Sequence, residues 1–218
     1  MRISLSKELH KNQIALHIFG ERACFSVPYS GYNCFSYPLP TGSAARGMLD
    51  NIYAHPHNLK DKAGNNAYQQ NFKWVIDKIF ILNPITYYSF GINGRQDVGS
   101  SPTQPQQHTI LLDVAYVIIG HPHLLSKPSP GDVEKHISIF NRRCKAKSAY
   151  IPPHLGFAKY PARYNLAPEE FETFDINMVV SGYLKDMVYD DSKGISETGP
   201  EAKFIPMLEI KHGVAILN

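Results

Sequence analysis

Apolar residues recur at helical spacing in two stretches of this chain and alternate or run together in several others. Between 41 and 53, in TGSAARGMLDNIY, Ala45, Met48, Leu49 and Ile52 form one stripe. This spacing predicts a helix, with Thr41 or Ser43 available to cap its free N–H groups. Arg46, Asp50 and Tyr53 lie at i, i+4 and i+7 and so define a second face. That face is either a surface ion pair beside a packing tyrosine or a surface that meets a ligand. Gly47 inside the helix costs about 1 kcal/mol against alanine, which implies close approach of another backbone or of a ligand. A second helix is predicted over 132–147, where Val133, Ile137, Phe140 and Cys144 supply the buried stripe.

Strands are expected elsewhere. Residues 14–19 (IALHIF) alternate until Gly20 ends the run, and 21–40 read as a loop or ragged hairpin. Residues 55–71 are polar and turn-rich, an exposed insertion. A long strand over 73–88 is bent at Pro84, which has no N–H for a ladder. After a polar segment over 91–108, TILLDVAYVII (109–119) is a strong strand, and HPHLLSKPSP is a loop. A strand edge is expected within 150–160, with short strands near 175–183 and 204–211. The order is strand, helix, strand, strand, helix, strand, then a β-rich tail. It is the split-βαβ pattern of an α+β, ferredoxin-like (RRM-like) domain over 1–165, followed by a β-rich appendage over 166–218. Many RNA-binding modules use this architecture, but fold alone licenses no function.

Composition narrows the chemistry. With 22 basic and 19 acidic residues the net charge is only +3, so bulk charge does not announce a nucleic-acid partner. Its distribution does more. Residues 135–147 hold Lys135, His136, Arg142, Arg143, Lys145 and Lys147 without one acid. Helical geometry predicts Lys135 with Arg142, and His136 with Arg143 and Lys147, on adjoining solvent-facing stripes. Such a strip suits a phosphate backbone, or is simply a solvated basic face. Tyr87, Tyr88, Phe90 and Tyr116 offer stacking surfaces for unpaired bases, although core packing is the expected role for most of them.

Other classes lack support. Two His-Pro-His pairs, His55/His57 and His121/His123, have no Asp, Glu or Cys at ligand spacing, and no H-E-x-x-H occurs, so no metal site is expected. No G-x-S-x-G, P-loop or dinucleotide fingerprint is present. Cys24, Cys34 and Cys144 are odd in number and lack C-x-x-C spacing, as expected of a reducing compartment. The N-terminal MRISLSKELHKNQ has no apolar signal region, and no run reaches transmembrane length. The expectation is a cytoplasmic protein without membrane or cofactor.

Several blocks in order carry a family resemblance: GERACFSVP, SYPLPTGSAARGMLDNIY, WVIDKIFILNPI, LLDVAYVI and KHISIFNRRCKAKSAYIPPHLGF. They cover most of residues 20–157, and the chain resembles the CRISPR-associated RAMP proteins of the Dvulg type, the type I-C branch of the Cas-five lineage. The T-x-S-A-A-R-G-x-L-x-x-I-Y block is its most specific part. The resemblance implies a metal-independent endoribonuclease that cuts the repeat hairpin of precursor CRISPR RNA. It also implies that the 5′ handle of the crRNA is retained in a type I-C Cascade complex, beside the large subunit and the backbone subunit. A non-catalytic subunit that only holds the handle is the alternative.

The family's catalytic positions fall on Tyr53, Lys135 and His136. In that scheme His136 serves as general acid or base, Lys135 neutralises developing phosphate charge and Tyr53 orients the 2′-OH or shares the proton. Which of His136 and Tyr53 is the base stays open. Arg46, Arg142, Arg143, Lys145 and Lys147 would bind the RNA backbone without reading sequence. The chain departs from the family at Ala54, where Trp is usual, in the 57–71 insertion, at Ala158-Lys159 and at Arg95-Gln96-Asp97. These departures bear on repeat specificity more than on chemistry.

Overall fold

The computed structural model describes residues 1–31, 33–54, 72–92, 105–125, 131–188 and 201–217, and the backbone of 56–60 and 66–70. Its elements are β1 (Arg2–Ser4), α1 (Leu5–Glu8), β2 (Ile14–Ala23), β3 (Cys34–Phe35), α2 (Gly42–Ile52), β4 (Pro56–Lys60), β5 (Asn66–Gln70), β6 (Phe72–Ile81) and β7 (Thr86–Ile92). They continue with β8 (Gln106–Leu124), α3 (Asp132–Lys145), β9 (Arg163–Leu166), β10 (Glu170–Glu172), β11 (Met178–Val188), β12 (Glu201–Lys211) and β13 (Val214–Ile216). The fold is mixed α+β, with a mostly antiparallel sheet and few helices. Among the described residues no helix is long and apolar enough to cross a membrane.

The sheet is organised on β8, whose apolar run makes it a strand buried on both faces. The main sheet runs β11-β12-β13-β6-β8-β2-β9, antiparallel throughout. One face, with Leu16, Ile18, Ile79 and Ile118, packs beneath the buried sides of α2 and α3. The other carries Ala15, Phe80, Val117 and Ile119 against Ile3 and Phe171, which the β1–β10 ribbon supplies. The C-terminal strands extend the same sheet, because β13 pairs with β6. They also fix α2. Tyr183 donates to the Pro40 carbonyl at 2.6 Å, Tyr37 donates to that of Gly182 at 2.6 Å, and a Cβ on Gly42 would stand 1.9 Å from the Lys185 carbonyl oxygen. Only glycine lets the start of α2 approach β11 so closely.

Several expectations are corrected. Gly20 does not end the first strand, which continues to Ala23; instead the missing side chain leaves room for Leu155, which would lie 2.7 Å from a Cβ there. The single bent strand over 73–88 is two strands, β6 and β7, laid end to end along the same edge of β8 with Pro84 between them. His121-Pro122-His123 is not loop but the end of β8, paired with 73–75 of β6. There His121 Nδ1 lies 2.9 Å from the buried Asp77 carboxylate, which also accepts from Gln13 at 2.7 Å. The strand edge expected within 150–160 is a series of turns closed by one His154–Pro161 bridge, and the strand follows at β9. Pro152 and Pro153 have no N–H to offer a ladder, and Gly156 takes φ +89°. The 55–71 insertion contains the β4–β5 hairpin backbone; its side chains, and all of His55, lie outside the described residues.

Helix α3 stops at Lys145, and Lys147 adopts φ +54° beyond it. Its fully buried stripe is His136, Phe140 and Cys144, at i, i+4 and i+8, whereas Val133 and Ile137 are only half-buried. His136 therefore does not share a solvent-facing stripe with Arg143 and Lys147.

Candidate active site

Helix α2 hands Tyr53 to α3. Thr41 Oγ1 accepts from the Ala44 N–H at 3.1 Å and starts the helix; Tyr53 ends it, its own N–H still bonded to the Leu49 carbonyl at 2.9 Å. Because Tyr53 has left helical geometry (φ −151°, ψ 106°), its ring leaves the Arg46–Asp50 ridge and turns into the core. Phe72 and Trp74, two residues apart and so on one face of β6, form the floor. The Phe72 ring centroid lies 5.6 Å from that of Tyr53 and 4.3 Å from that of His136. Trp74 packs on Phe140 at 5.1 Å and donates its indole N–H to the Tyr53 carbonyl at 3.0 Å.

On this floor Tyr53 Oη lies 3.0 Å from His136 Nδ1. Tyr53 is 3% and His136 6% exposed, so the bond satisfies polar atoms that would be costly to bury alone. Burial pushes the phenol above its ordinary range, while Arg143 and Arg142 pull it back. Arg143 also sets its guanidinium carbon 5.6 Å from the Tyr53 ring centroid, a cation–π distance. The pair thus holds an imidazole against a phenol that burial keeps protonated, beside two cations.

Lys135 is exposed next to His136 in the first turn of α3, and Arg142 and Lys145 are exposed near its end. Lys147 is spoken for: its ammonium donates to the Tyr164 carbonyl and to Asn165 of β9. Arg46 is engaged as well, by the Asp186 carboxylate and the Met187 carbonyl, with Lys73 on the other Asp186 oxygen at 2.6 Å. Behind them Asp50 is pushed up to about 6 by burial, against the pull of Arg46 and Lys73. The structure therefore brings together Tyr53, His136, Arg142 and Arg143, with Lys135 adjoining. Arg46 and Lys147 have protein partners elsewhere.

Sequence reasoning missed Phe72 and Trp74 as the floor, although the alternation F-K-W at 72–74 was available as a signal. Of the proposed stacking residues, Tyr116 is buried and donates to the Pro38 carbonyl at 3.2 Å, a packing role. Tyr87 and Tyr88 are exposed on β7, and Phe90 stacks between Tyr88 and His108 at 5.7 and 5.5 Å. Among the described residues no three His, Cys, Asp or Glu side chains are grouped to hold a metal. If Arg142 and Arg143 meet phosphates, replacing both with alanine will weaken RNA binding regardless of sequence and lower the slope of log affinity against log salt by about one to two. Titrations at several salt concentrations check this; an unchanged slope makes them a solvated face.

A family model described as CRISPR-associated protein (Cas_Cas5), of the Cas5d group, matches residues 13–198. A CRISPR pre-crRNA endoribonuclease Cas5d of Mannheimia succiniciproducens is 33% identical over 177 residues, 71% of this chain and 72% of that protein. Its namesake in Thermus thermophilus is 27% identical over 194 residues, covering 85% and 77%. A crystal structure of a CRISPR-associated protein shares the fold at a TM-score of 0.67 and 19% identity, over 94% of this chain and 90% of that one. The chain is a CRISPR-associated protein, and it belongs to the Cas5d family.

Proposed function

We propose that this protein is the precursor-CRISPR-RNA endoribonuclease of a type I-C system, cutting the repeat hairpin without metal. The observation that carries the reading is the 3.0 Å contact between Tyr53 Oη and His136 Nδ1 beside Arg142 and Arg143. The function of its relatives, named pre-crRNA endoribonucleases, supports it.

Cleavage requires that the 2′-OH lose a proton, that the phosphorane be stabilised and that the leaving 5′-oxygen gain a proton. His136 supplies the imidazole, the usual side chain for general acid–base work, so it takes and returns the proton. Tyr53, held protonated by burial, fixes the ring's tautomer and relays the proton rather than acting as base. Lys135, at the first turn of α3, neutralises charge on the non-bridging oxygens, and Arg142, Arg143 and Lys145 hold the flanking backbone. The products are a 2′,3′-cyclic phosphate and a 5′-OH. The handle stays bound, and the protein joins the large and backbone subunits of Cascade in the cytoplasm.

The order β6-β8-β2-β9, with α2 and α3 as crossovers, supports a ferredoxin-like domain over 1–165 that holds the chemistry. Residues 166–218 are the β-rich appendage to it.

A second reading is favoured by the burial of both rings: Tyr53 and His136 would then be a satisfied core pair in a subunit that only holds the handle. Incubating the protein with its own repeat RNA in EDTA tests the proposal. Cutting with a cyclic-phosphate end is expected; binding without cutting supports the holding role, and cutting only on return of metal overturns the mechanism.

A further inference from the structure

The exposed flank of α2 faces an open cavity of about 330 Å³, walled by Ser43, Gly47 and Asn51 from the helix and by His154 and Gly156 from the turns before β9. Two features of its wall lack an explanation in the fold.

The first is Gly47. A Cβ built there meets nothing within 4 Å among the described residues, and its backbone is helical, so neither packing nor conformation requires glycine. It differs in this from Gly42, against the Lys185 carbonyl, and from Gly156, which is pressed on the Cys24 carbonyl at φ +89°. An interior helical glycine without such a reason costs about 1 kcal/mol against alanine. What it leaves is space on the cavity side.

The second is His154. Its Nδ1 is buried, yet no hydrogen-bond partner for it exists among the described residues. A buried polar atom without a partner costs about 1–3 kcal/mol. The turns carrying it are fixed, because Ile151 donates to the Asn51 carbonyl at 2.9 Å and Leu155 to that of Tyr160 at 2.8 Å.

We propose that this cavity is a pocket for one unpaired base of the RNA, an inference that rests on the RNA-processing reading above. The chemistry favours a base over an anion. The cation at the rim, Arg46, already has protein partners in the Asp186 carboxylate and the Met187 carbonyl. The remaining polar groups, the Asn51 amide, the His154 ring and the Ser43 hydroxyl, are donors and acceptors of the kind that read a base edge. The volume lies at the small end for ligand pockets, suited to a single base and not to a duplex. Position agrees. Asn51 precedes Tyr53 by two residues, about 3 Å along the helix axis. Gly47 precedes Tyr53 by six residues, about 9 Å along the same axis, so a base seated there holds the strand on the helix that ends at the Tyr53–His136 pair. A side chain at position 47 excludes it.

Gly47→Ala and Gly47→Gln test the pocket, with melting temperature and repeat-RNA binding measured on each. Gly47→Ala removes the helical penalty and raises the melting temperature. Gly47→Gln weakens repeat binding at least tenfold while the salt slope stays that of the wild type. His154→Ala weakens binding in the same direction. An abasic substitution at one repeat position reproduces the loss, and combining it with Gly47→Gln adds nothing further. Wild-type affinity in Gly47→Gln, or no abasic position that matches it, overturns the pocket and leaves the RNA-processing function standing. A Gly47→Ala variant of lowered melting temperature also overturns it, by making the glycine structural. A wild-type protein that neither binds nor cuts its repeat removes both.

Discussion

His136→Ala is expected to slow repeat cleavage by about 10²–10⁴-fold, the usual contribution of one general acid–base group, while repeat affinity stays nearly unchanged. Affinity survives because the groups assigned to phosphates, Arg142, Arg143 and Lys145, are other side chains on the solvent side of α3. The ring is 6% exposed and packed on Phe72, so alanine also opens a cavity and lowers the melting temperature. His136→Gln separates the two effects. Glutamine fills more of the space and can still meet Tyr53 Oη, but it does not titrate. Slow cleavage in both variants assigns the loss to proton transfer; a wild-type rate in His136→Gln makes the imidazole a packing group.

Tyr53→Phe gives the second large effect. It keeps the ring against Phe72 and beneath Arg143 and removes only the hydroxyl 3.0 Å from His136 Nδ1. A hydrogen bond to a group that becomes charged is worth about 1.5–3 kcal/mol, or roughly ten- to a hundredfold in rate. Cleavage under single-turnover conditions should fall by that factor. The stability lost is about 1–3 kcal/mol, because the hydroxyl no longer satisfies the buried His136 ring. A holding subunit with a core Tyr–His pair would show the stability loss and no cleavage in either form.

Much of the frame of this site was legible in sequence. The apolar stripe Ala45, Met48, Leu49 and Ile52 is the buried face of α2, and Thr41 is its cap, because local periodicity and capping chemistry decide both. Tyr53 was harder. Extending the helical ridge by one more residue aligned it with Arg46, but the chain leaves the helix at Tyr53 and turns the ring inward. His136 lies four residues before Phe140 and eight before Cys144, so the buried stripe could have included it. Its polar character and basic neighbours argued for solvent instead. The pairing of Arg46 with Asp186 spans 140 positions and crosses from α2 to β11, a relation set by tertiary packing that no local pattern carries. The placement of His121 and His123 in β8 likewise depends on pairing with β6, which outweighs the turn preference of the intervening proline.

The central claim is that Tyr53 and His136 form one proton-transferring unit, and a double-mutant cycle on the cleavage step tests it most directly. Single-turnover rates on repeat RNA in EDTA are compared for the wild type, Tyr53→Phe, His136→Gln and the double variant. Groups that act as a unit are non-additive, so the double variant is predicted to cut no more slowly than His136→Gln alone. Losses that multiply, with each substitution exerting its full effect in the absence of the other, would contradict a shared proton path.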